Sequence, residues 1–258
     1  MKIAICQFEI QYEKKEKNMK RAESFIKEAA LKGASFILFP EMSFTGFSMN
    51  TSLTGEEHNE TVCLMRKLAK DIGIAVGFGW VNKKSESENH YTVVNKDGEI
   101  LGDYTKIHPF SYAKEDDYFV GGTKVCTFVY DNFCFGLSIC YDLRFPEIFQ
   151  ELSKVSDVIL VPANWPSGRI AHWNTLLQAR AIENQVYMIG INCTGRQGFT
   201  RYNGSSRVIN PDGEILLNVG NEESLQMIEI ENDVETFRKK FPTKKDRKTE
   251  IYKEFYMD

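Results

Sequence analysis

Three separated stretches of the sequence each carry a chemically capable side chain where an apolar run ends. Glu41 follows ILFP, Lys106 lies within YTKIHPF, and Cys140 ends FGLSIC. In open α/β folds, reactive groups gather in the loops at the carboxyl ends of strands. A carboxylate, an ammonium group and a thiol that meet there would act as general base, oxyanion stabiliser and nucleophile.

Cys140 is the candidate nucleophile because it stands between a buried strand and a charged segment. Backbone N–H groups at such a strand end would lower the pKa of the thiol and cradle an oxyanion. The alternative is a small buried cysteine, the usual role of this residue type, and position alone favours that alternative. The stretches around Glu41 and Lys106 shift the interpretation from a buried structural cysteine toward a nucleophile.

Glu41 comes directly after a buried strand, Ile37 to Phe39, and Pro40. A carboxylate so close to apolar surroundings is partly desolvated, which suits a general base, although a lone loop glutamate is more often solvated. Lys106 is bracketed by aromatic, aliphatic and proline neighbours, which are unusual surroundings for a solvated lysine. Glu115, further along the same loop, could hold the ammonium group in place. Each interpretation is weak alone, and together they indicate a catalytic site.

Strands and helices must position these residues, and the apolar periodicity predicts an alternation of the two. Helices are predicted over 14–32, 55–71, 145–154 and 170–185. Strands are predicted in KIAICQFEI, SFILFP, GIAVGFGWV, KVCTFVY, FCFGLSIC, SDVILVP, VYMIGINC and about 224–231, with hairpins in YTVVNKDGEILGDY and SSRVINPDGEILLNV. The many hairpins favour mixed sheets, two of which would pack face to face with helices outside. We expect roughly twelve strands, four or five helices and one domain over residues 1–258.

Composition narrows the class of protein. The chain has 258 residues, 42% of them hydrophobic, and a net charge of −4, which argues against nucleic acid or an anionic membrane as partner. No signal peptide and no apolar run of membrane-spanning length is expected. The six cysteines form no CxxC motif, which favours reduced thiols in a cytoplasmic protein. Four histidines without a Cys/His cluster predict no metal site.

The chain resembles the nitrilase superfamily of carbon–nitrogen hydrolases through three blocks in the family's order. The blocks are FPEMSFTGF, YTKIHPF and SICYDLRFPE, and the resemblance continues through VPANWP, HWNTLLQARAIENQ and GSSRVINPDGEI. A match in three blocks is far more specific than one short motif. The ANWP and HWNTLLQARAIENQ segments look most like the omega-amidase branch, which hydrolyses the terminal amide of 2-oxo acid amides such as 2-oxoglutaramate.

This resemblance implies a four-layer α-β-β-α sandwich with two mixed sheets, a homodimer and no cofactor. It also implies that Glu41 takes the proton of Cys140, whose thiolate attacks the amide carbon. Lys106 and the backbone N–H of Tyr141 would stabilise the oxyanion, and a thioester would follow the loss of ammonia. Glu115 matches the family's second glutamate, with Asp116 and Asp117 as neighbouring alternatives.

Several alternatives stay open at this stage. Arg144 could bind a substrate carboxylate or pair with Asp142 and Glu147, and Trp165 could wall the pocket or only pack. A Cys–His mechanism through His108 is a second possibility, although an acid and a lysine already complete a mechanism. A nitrile hydrolase, or an amidase for carbamoyl amino acids or deaminated glutathione, would use the same residues. A non-catalytic scaffold would normally lack one of the three.

Overall fold

The computed structural model describes residues 1–255, which form two six-stranded sheets. In the first, the strands run in the order β14 (Ser224–Glu229), β1 (Lys2–Gln7), β2 (Phe36–Leu38), β3 (Ala75–Lys83), β4 (Ser87–Val94) and β5 (Ile100–Thr105). In the second, the order is β13 (Ile215–Asn218), β12 (Arg207–Ile209), β9 (Tyr187–Asn192), β8 (Val158–Ala163), β7 (Phe133–Leu137) and β6 (Cys126–Tyr130). A separate hairpin pairs β10 (Thr194–Gln197) with β11 (Thr200–Asn203).

The helices are α1 (Lys15–Leu31), α2 (Thr51–Thr54), α3 (Glu60–Ile72), α4 (Pro146–Leu152), α5 (Ile170–Asn184), α6 (Val234–Lys240) and α7 (Thr249–Glu254). None of these helices, within residues 1–255, has both the length and the apolar character needed to cross a bilayer. Helix α3 begins five residues after the predicted start, because Asn59 has a left-handed backbone that the helix cannot include. It ends at Gly73, whose φ of +80° suits glycine.

The layers follow from which faces of the strands are apolar. Alternate residues of β1, such as Ala4 and Cys6, pack against α1 and α3, whereas Ile3 and Ile5 face the second sheet. The second sheet carries α4 and α5 on its other side, where Phe149 and Leu177 join the core. The predicted four-layer α-β-β-α sandwich with two mixed sheets is therefore confirmed.

The topology brings the carboxyl ends of several strands to neighbouring edges. Strands β1, β2 and β3 are parallel, and so are β7, β8 and β9. Strand β5 runs in the same direction as β3, because both are antiparallel to β4. Glu41, Lys106, Cys140 and Asn164 lie just beyond the ends of β2, β5, β7 and β8, so side chains distant in sequence can meet at one place.

The structure contains more elements than predicted, namely fourteen strands and seven α-helices within the described residues. The additional strands are short, as in β10 and β11, and the additional helices α2, α6 and α7 have four to seven residues. Such short elements leave too few periodic positions for a pattern to be recognised.

Candidate active site

Four predicted site residues converge on one buried cluster between the sheets. The Lys106 Nζ lies 2.8 Å from Glu41 Oε1 and 2.8 Å from Glu115 Oε2. Cys140 and Lys106 line one cavity, which places the thiol beside this cluster. Asp116 and Asp117, the alternatives to Glu115, are exposed. The carboxylate, ammonium and thiol thus come from distant segments, as the sequence predicts.

The Glu41 carboxylate is held by donors on both of its oxygens. Oε1 accepts hydrogen bonds from Lys106 Nζ at 2.8 Å and Asn89 Nδ2 at 2.9 Å, and Oε2 accepts one from the backbone N–H of Asn164 at 2.9 Å. Gly79 of β3 lets this loop approach closely, since a Cβ there would lie 2.3 Å from the backbone nitrogen of Met42. These three donors therefore hold the Glu41 carboxylate in one position.

Lys106 is charged despite complete burial of its side chain. Burial by itself favours the neutral amine, but the carboxylates of Glu115 and Glu41 outweigh it and raise the pKa of Lys106 above its ordinary value. Burial, together with the negative charge of Glu41, raises the pKa of Glu115, which Lys106 opposes. A buried ammonium between two carboxylates supplies a fixed positive charge beside Cys140.

Cys140 begins a turn of 3-10 helix, Cys140–Arg144, directly after β7. Its φ is +46°, a left-handed conformation that costs a non-glycine residue free energy and is common at catalytic turns. Burial, and then the charge of Glu41, raises the pKa of the thiol well above its usual range, with Lys106 opposing. The expected lowering of this pKa is therefore wrong, because the thiol lies in a closed site beside a carboxylate. A protonated resting thiol requires a base, and Glu41 lies where a base would act.

Asp142 joins the Cys140 turn to the Lys106 segment. Its carboxylate accepts hydrogen bonds from the backbone N–H of Ile139 at 2.9 Å and the backbone N–H of His108 at 3.0 Å. The hydroxyl of Tyr104 and the His108 Nδ1 also lie 2.8 and 2.9 Å from it. Asp142 is thus committed to this junction, and it forms no ion pair with Arg144.

His108 belongs to the junction at Asp142. Its ring stacks on Phe145, with centroids 3.7 Å apart, and its Nδ1 lies against Asp142. This geometry argues against the Cys–His alternative and agrees with a residue that shapes the loop.

We expect His108→Asn to keep at least a tenth of the wild-type kcat/KM for amide hydrolysis. An asparagine amide can still donate to Asp142, and only the stacking on Phe145 is lost. Ammonia release at saturating and limiting amide gives the comparison. A fall on the order of 10³-fold, as expected for loss of a general base, would instead favour the Cys–His mechanism.

Asn89, which no sequence motif singles out, lies at the centre of the cluster. Its Nδ2 donates to Glu41 Oε1 at 2.9 Å and to Glu115 Oε1 at 3.0 Å, and its backbone carbonyl accepts from the Lys106 N–H. The only signal in the sequence is a polar residue in a strand whose neighbours are largely buried. Such a residue needs buried hydrogen-bond partners, and here the partners are the two glutamates.

Replacing Asn89 by Ala should lower kcat by about 10- to 100-fold, the size expected for hydrogen bonds to charged groups. Glu41 and Glu115 would lose the amide donor that lies between them, whereas Lys106 would still bind both carboxylates. Steady-state kinetics with thermal melting separates this effect from unfolding. Asn82→Ala is the matched control, because Asn82 donates to Glu88 at 3.0 Å, away from the site. Equal loss in both variants would contradict a positioning role.

A cavity of about 340 Å³ opens beside Cys140 and Lys106. This volume is near the lower end of the range for small-molecule sites, so it suits a small substrate. Its walls are largely aromatic, and its lining includes Tyr141, Arg144 and Trp165. Among the described residues, no aspartate or glutamate lines it.

Arg144 and Trp165 both face this cavity. The Arg144 guanidinium lies over the Trp165 ring, 4.8 Å from its centroid, and within 3.3 Å of His172 Nδ1. It forms no ion pair with Asp142 or Glu147, so that alternative is wrong. Trp165 is 2% exposed and also packs on Trp173 at a centroid distance of 5.4 Å. Trp165 therefore both walls the cavity and packs against a neighbouring aromatic ring.

Comparison with known proteins agrees with the geometry. A model of the carbon–nitrogen hydrolase family matches residues 2–239, and the chain belongs to this family. The resemblance to the nitrilase superfamily is thereby confirmed, and the protein is a hydrolase that acts on carbon–nitrogen bonds.

Two relatives and one solved structure illustrate the likeness. The 2-oxoglutaramate amidase of Bacillus subtilis (strain 168) is 34% identical over 256 residues, 97% of this chain and 98% of that protein. Omega-amidase YafV of Escherichia coli (strain K12) is 36% identical over 186 residues, 71% of this chain and 72% of that protein. A CN-hydrolase superfamily protein from Xanthomonas campestris, with an arsenic adduct in its active site, aligns with a TM-score of 0.90 at 25% identity, covering 96% of this chain and 97% of that one.

Proposed function

We propose that the protein is an amidase that hydrolyses the terminal amide of a small 2-oxo dicarboxylate monoamide, such as 2-oxoglutaramate, to the acid and ammonia. The observation that carries this proposal is the cluster of Glu41, Lys106 and Cys140 beside a small cavity without acidic lining residues. Such a cavity suits a substrate with an amide at one end and a carboxylate at the other.

The reaction follows from the contacts of the cluster. Glu41 accepts the thiol proton while the sulfur of Cys140 attacks the amide carbon, and the amide oxygen becomes an oxyanion facing Lys106 and the N–H of Tyr141. Glu41 then gives its proton to the nitrogen and the carbon–nitrogen bond breaks. Ammonia departs, and a thioester remains on Cys140. Water next gives a proton to Glu41 and attacks the thioester, the carbon–sulfur bond breaks, and that proton returns to the sulfur.

Glu115 orients the lysine in this scheme. It accepts both contacts from Lys106 Nζ, at 2.8 and 3.1 Å, and the backbone N–H of Phe110 at 2.6 Å. These contacts tie the ammonium group to the loop that forms one side of the cavity. Glu115 therefore keeps the positive charge directed at the oxyanion without taking a proton from the substrate.

Arg144 is assigned to the substrate carboxylate, and Trp165 to the wall against which the carbon chain packs. The Arg144 guanidinium is half-buried at the cavity, and a partly desolvated guanidinium binds carboxylate strongly through paired hydrogen bonds. The relatives named 2-oxoglutaramate amidase and omega-amidase support this substrate class. The second candidates, an amidase for carbamoyl amino acids or deaminated glutathione and a nitrile hydrolase, share the cluster.

The test compares ammonia release from 2-oxoglutaramate, butyronitrile and N-carbamoyl-β-alanine. The largest kcat/KM is expected for 2-oxoglutaramate, and the Cys140→Ala variant provides the blank. Equal or greater activity on the nitrile or on the carbamoyl compound would overturn the substrate assignment.

We also propose that the chain is one domain over residues 1–258, of which 256–258 lie outside the described residues. The enzyme would work in the cytoplasm as a homodimer paired through its outer helix layer. It would need no cofactor and have no nucleic-acid or membrane partner. Light scattering coupled to size-exclusion chromatography would test the dimer, and a monomer at micromolar concentration would contradict it.

A further inference from the structure

Two guanidinium groups, not one, face the cavity beside Cys140. Besides Arg144, Arg169 lines it from the 3-10 helix Ser167–Arg169. The Arg169 guanidinium lies over the rings of Phe110 and Tyr112, 5.3 and 5.4 Å from their centroids. No sequence pattern singles out this arginine, because ANWPSGR gives no sign that its last residue turns into the cavity.

The backbone of Arg169 is anchored to the cavity wall. Its carbonyl accepts a hydrogen bond from Trp165 Nε1 at 2.9 Å, and its N–H donates to the Pro166 carbonyl at 3.0 Å. The side chain, by contrast, makes no hydrogen bond or ion pair with any residue in 1–255. A fixed backbone with uncommitted guanidinium donors is the arrangement of a ligand-binding residue.

The mouth of the cavity is therefore positively charged. The third cation, Lys106, is already neutralised by Glu41 and Glu115, and no acid of the described chain lines the cavity. The two arginines also repel each other electrostatically. Burial lowers the pKa of Arg144, and the positive charge of Arg169 lowers it further. Two like charges held together without a counter-ion cost free energy, which an anionic ligand would recover.

We propose that Arg169 is a second substrate-binding cation that, with Arg144, selects a 2-oxo acid amide over the corresponding 2-amino acid amide. This inference rests on the proposed amidase function and assigns the selection to a residue. A carboxylate with an adjacent carbonyl oxygen offers acceptors to both guanidinium groups. A 2-amino acid carries an ammonium group at that carbon, and two cations would repel it.

The aromatic contacts explain why the residue is an arginine. A planar guanidinium stacks on Phe110 and Tyr112 and still presents donors at its edge, whereas a lysine ammonium has neither the plane nor the fork. Phe110, under Arg169, and Tyr141, under Arg144, are themselves in contact, with ring centroids 4.7 Å apart. The two guanidinium groups thus lie over neighbouring aromatic rings of the same cavity wall.

The experiment compares wild type with Arg169→Gln on four substrates: 2-oxoglutaramate, glutaramate (no substituent at that carbon), glutamine and the neutral butyramide. For 2-oxoglutaramate we expect KM to rise on the order of tenfold or more with little change in kcat, because binding is lost equally in the ground and transition states. The preference for 2-oxoglutaramate over glutamine should shrink by a similar factor. The kcat/KM for butyramide should stay within about threefold, since this amide has no group for Arg169 to bind.

Arg201→Gln is the matched control, because Arg201 is exposed on β11 and does not line this cavity. It should change none of these constants. Arg169→Lys provides a second variant should the glutamine variant melt early, and it should retain discrimination against glutamine while KM for 2-oxoglutaramate rises.

Two results would overturn the role of Arg169 on an active enzyme. An unchanged KM for 2-oxoglutaramate would show that the guanidinium does not bind it. Equal losses on 2-oxoglutaramate and butyramide would show that Arg169 acts only by supporting Phe110 and Tyr112. Failure of the wild-type enzyme to hydrolyse 2-oxoglutaramate would be a different outcome, since it refutes the proposed function itself.

Discussion

Replacing Cys140 by Ala is expected to lower kcat for amide hydrolysis on the order of 10⁵-fold or more, the scale seen when a covalent nucleophile is removed. The thioester cannot form without the sulfur, and Glu41 and Lys106 would then face an amide with nothing to attack it. Single-turnover measurement of ammonia release, with mass spectrometry for the acyl-enzyme, checks both the rate and the missing intermediate.

Cys134→Ser is the control for this variant, because Cys134 lies on β7, the strand that precedes Cys140, and is only partly buried. It should retain wild-type turnover. An Ala variant at position 140 that keeps more than about a hundredth of wild-type kcat would contradict covalent catalysis by this residue.

Replacing Lys106 by Met should damage both catalysis and folding. The oxyanion loses its main cation, so kcat should fall on the order of 10³-fold or more. Glu41 and Glu115 would remain buried without their counter-charge, at a cost of about 3–5 kcal/mol in the free energy of unfolding. Kinetics and urea unfolding measure the two effects separately.

The pH dependence of this loss has a definite sign. Burial raises the pKa of the Glu115 carboxyl above its ordinary value, and removing Lys106 takes away the charge that opposes this rise. A carboxyl whose pKa is raised on folding contributes stability that is fully present below its unfolded pKa and is lost as pH rises through its folded pKa. The Lys106→Met variant should come closer to wild-type stability near pH 5 than near pH 8.

A second substitution separates the two consequences of losing Lys106. Adding Glu115→Gln to Lys106→Met removes one buried negative charge, so it should restore part of the free energy of unfolding and none of the activity. Lys124→Ala, an exposed lysine in the segment that follows, is the control and should change neither. Recovered activity in the double variant would show that Lys106 is needed only to hold the fold.

The sequence predicted the layers and the reactive cluster because both depend on local patterns. Buried strands followed at once by Glu41 and Cys140 are visible as letters, and parallel strands bring their carboxyl ends together. Residues such as Asn89 and Asn164 leave no such trace, because an asparagine on a strand or after one has many ordinary roles. Their importance lies in contacts between segments far apart in the chain.

The loop after β5 shows why the rest could not be predicted. Periodicity does not describe residues 107–125, yet two short turns joined at Lys114, whose φ is +57°, turn Glu115 inward and leave its acidic neighbours exposed. The predicted lowering of the pKa of the Cys140 thiol was wrong for a similar reason. The strand-end position suggested backbone N–H groups, whereas its value depends on burial and on Glu41, which come from the tertiary structure.

The junction at Asp142 has a consequence for thermal motion. One carboxylate receives the N–H of Ile139 from one sheet's loop and the N–H of His108 from the other's. Any sliding of the two sheets at this edge must break these hydrogen bonds. The Cys140 sulfur and the Lys106 ammonium group therefore move together, and their separation is kept during thermal fluctuations. The two amide protons should consequently exchange with deuterium at matching rates and open in a single event.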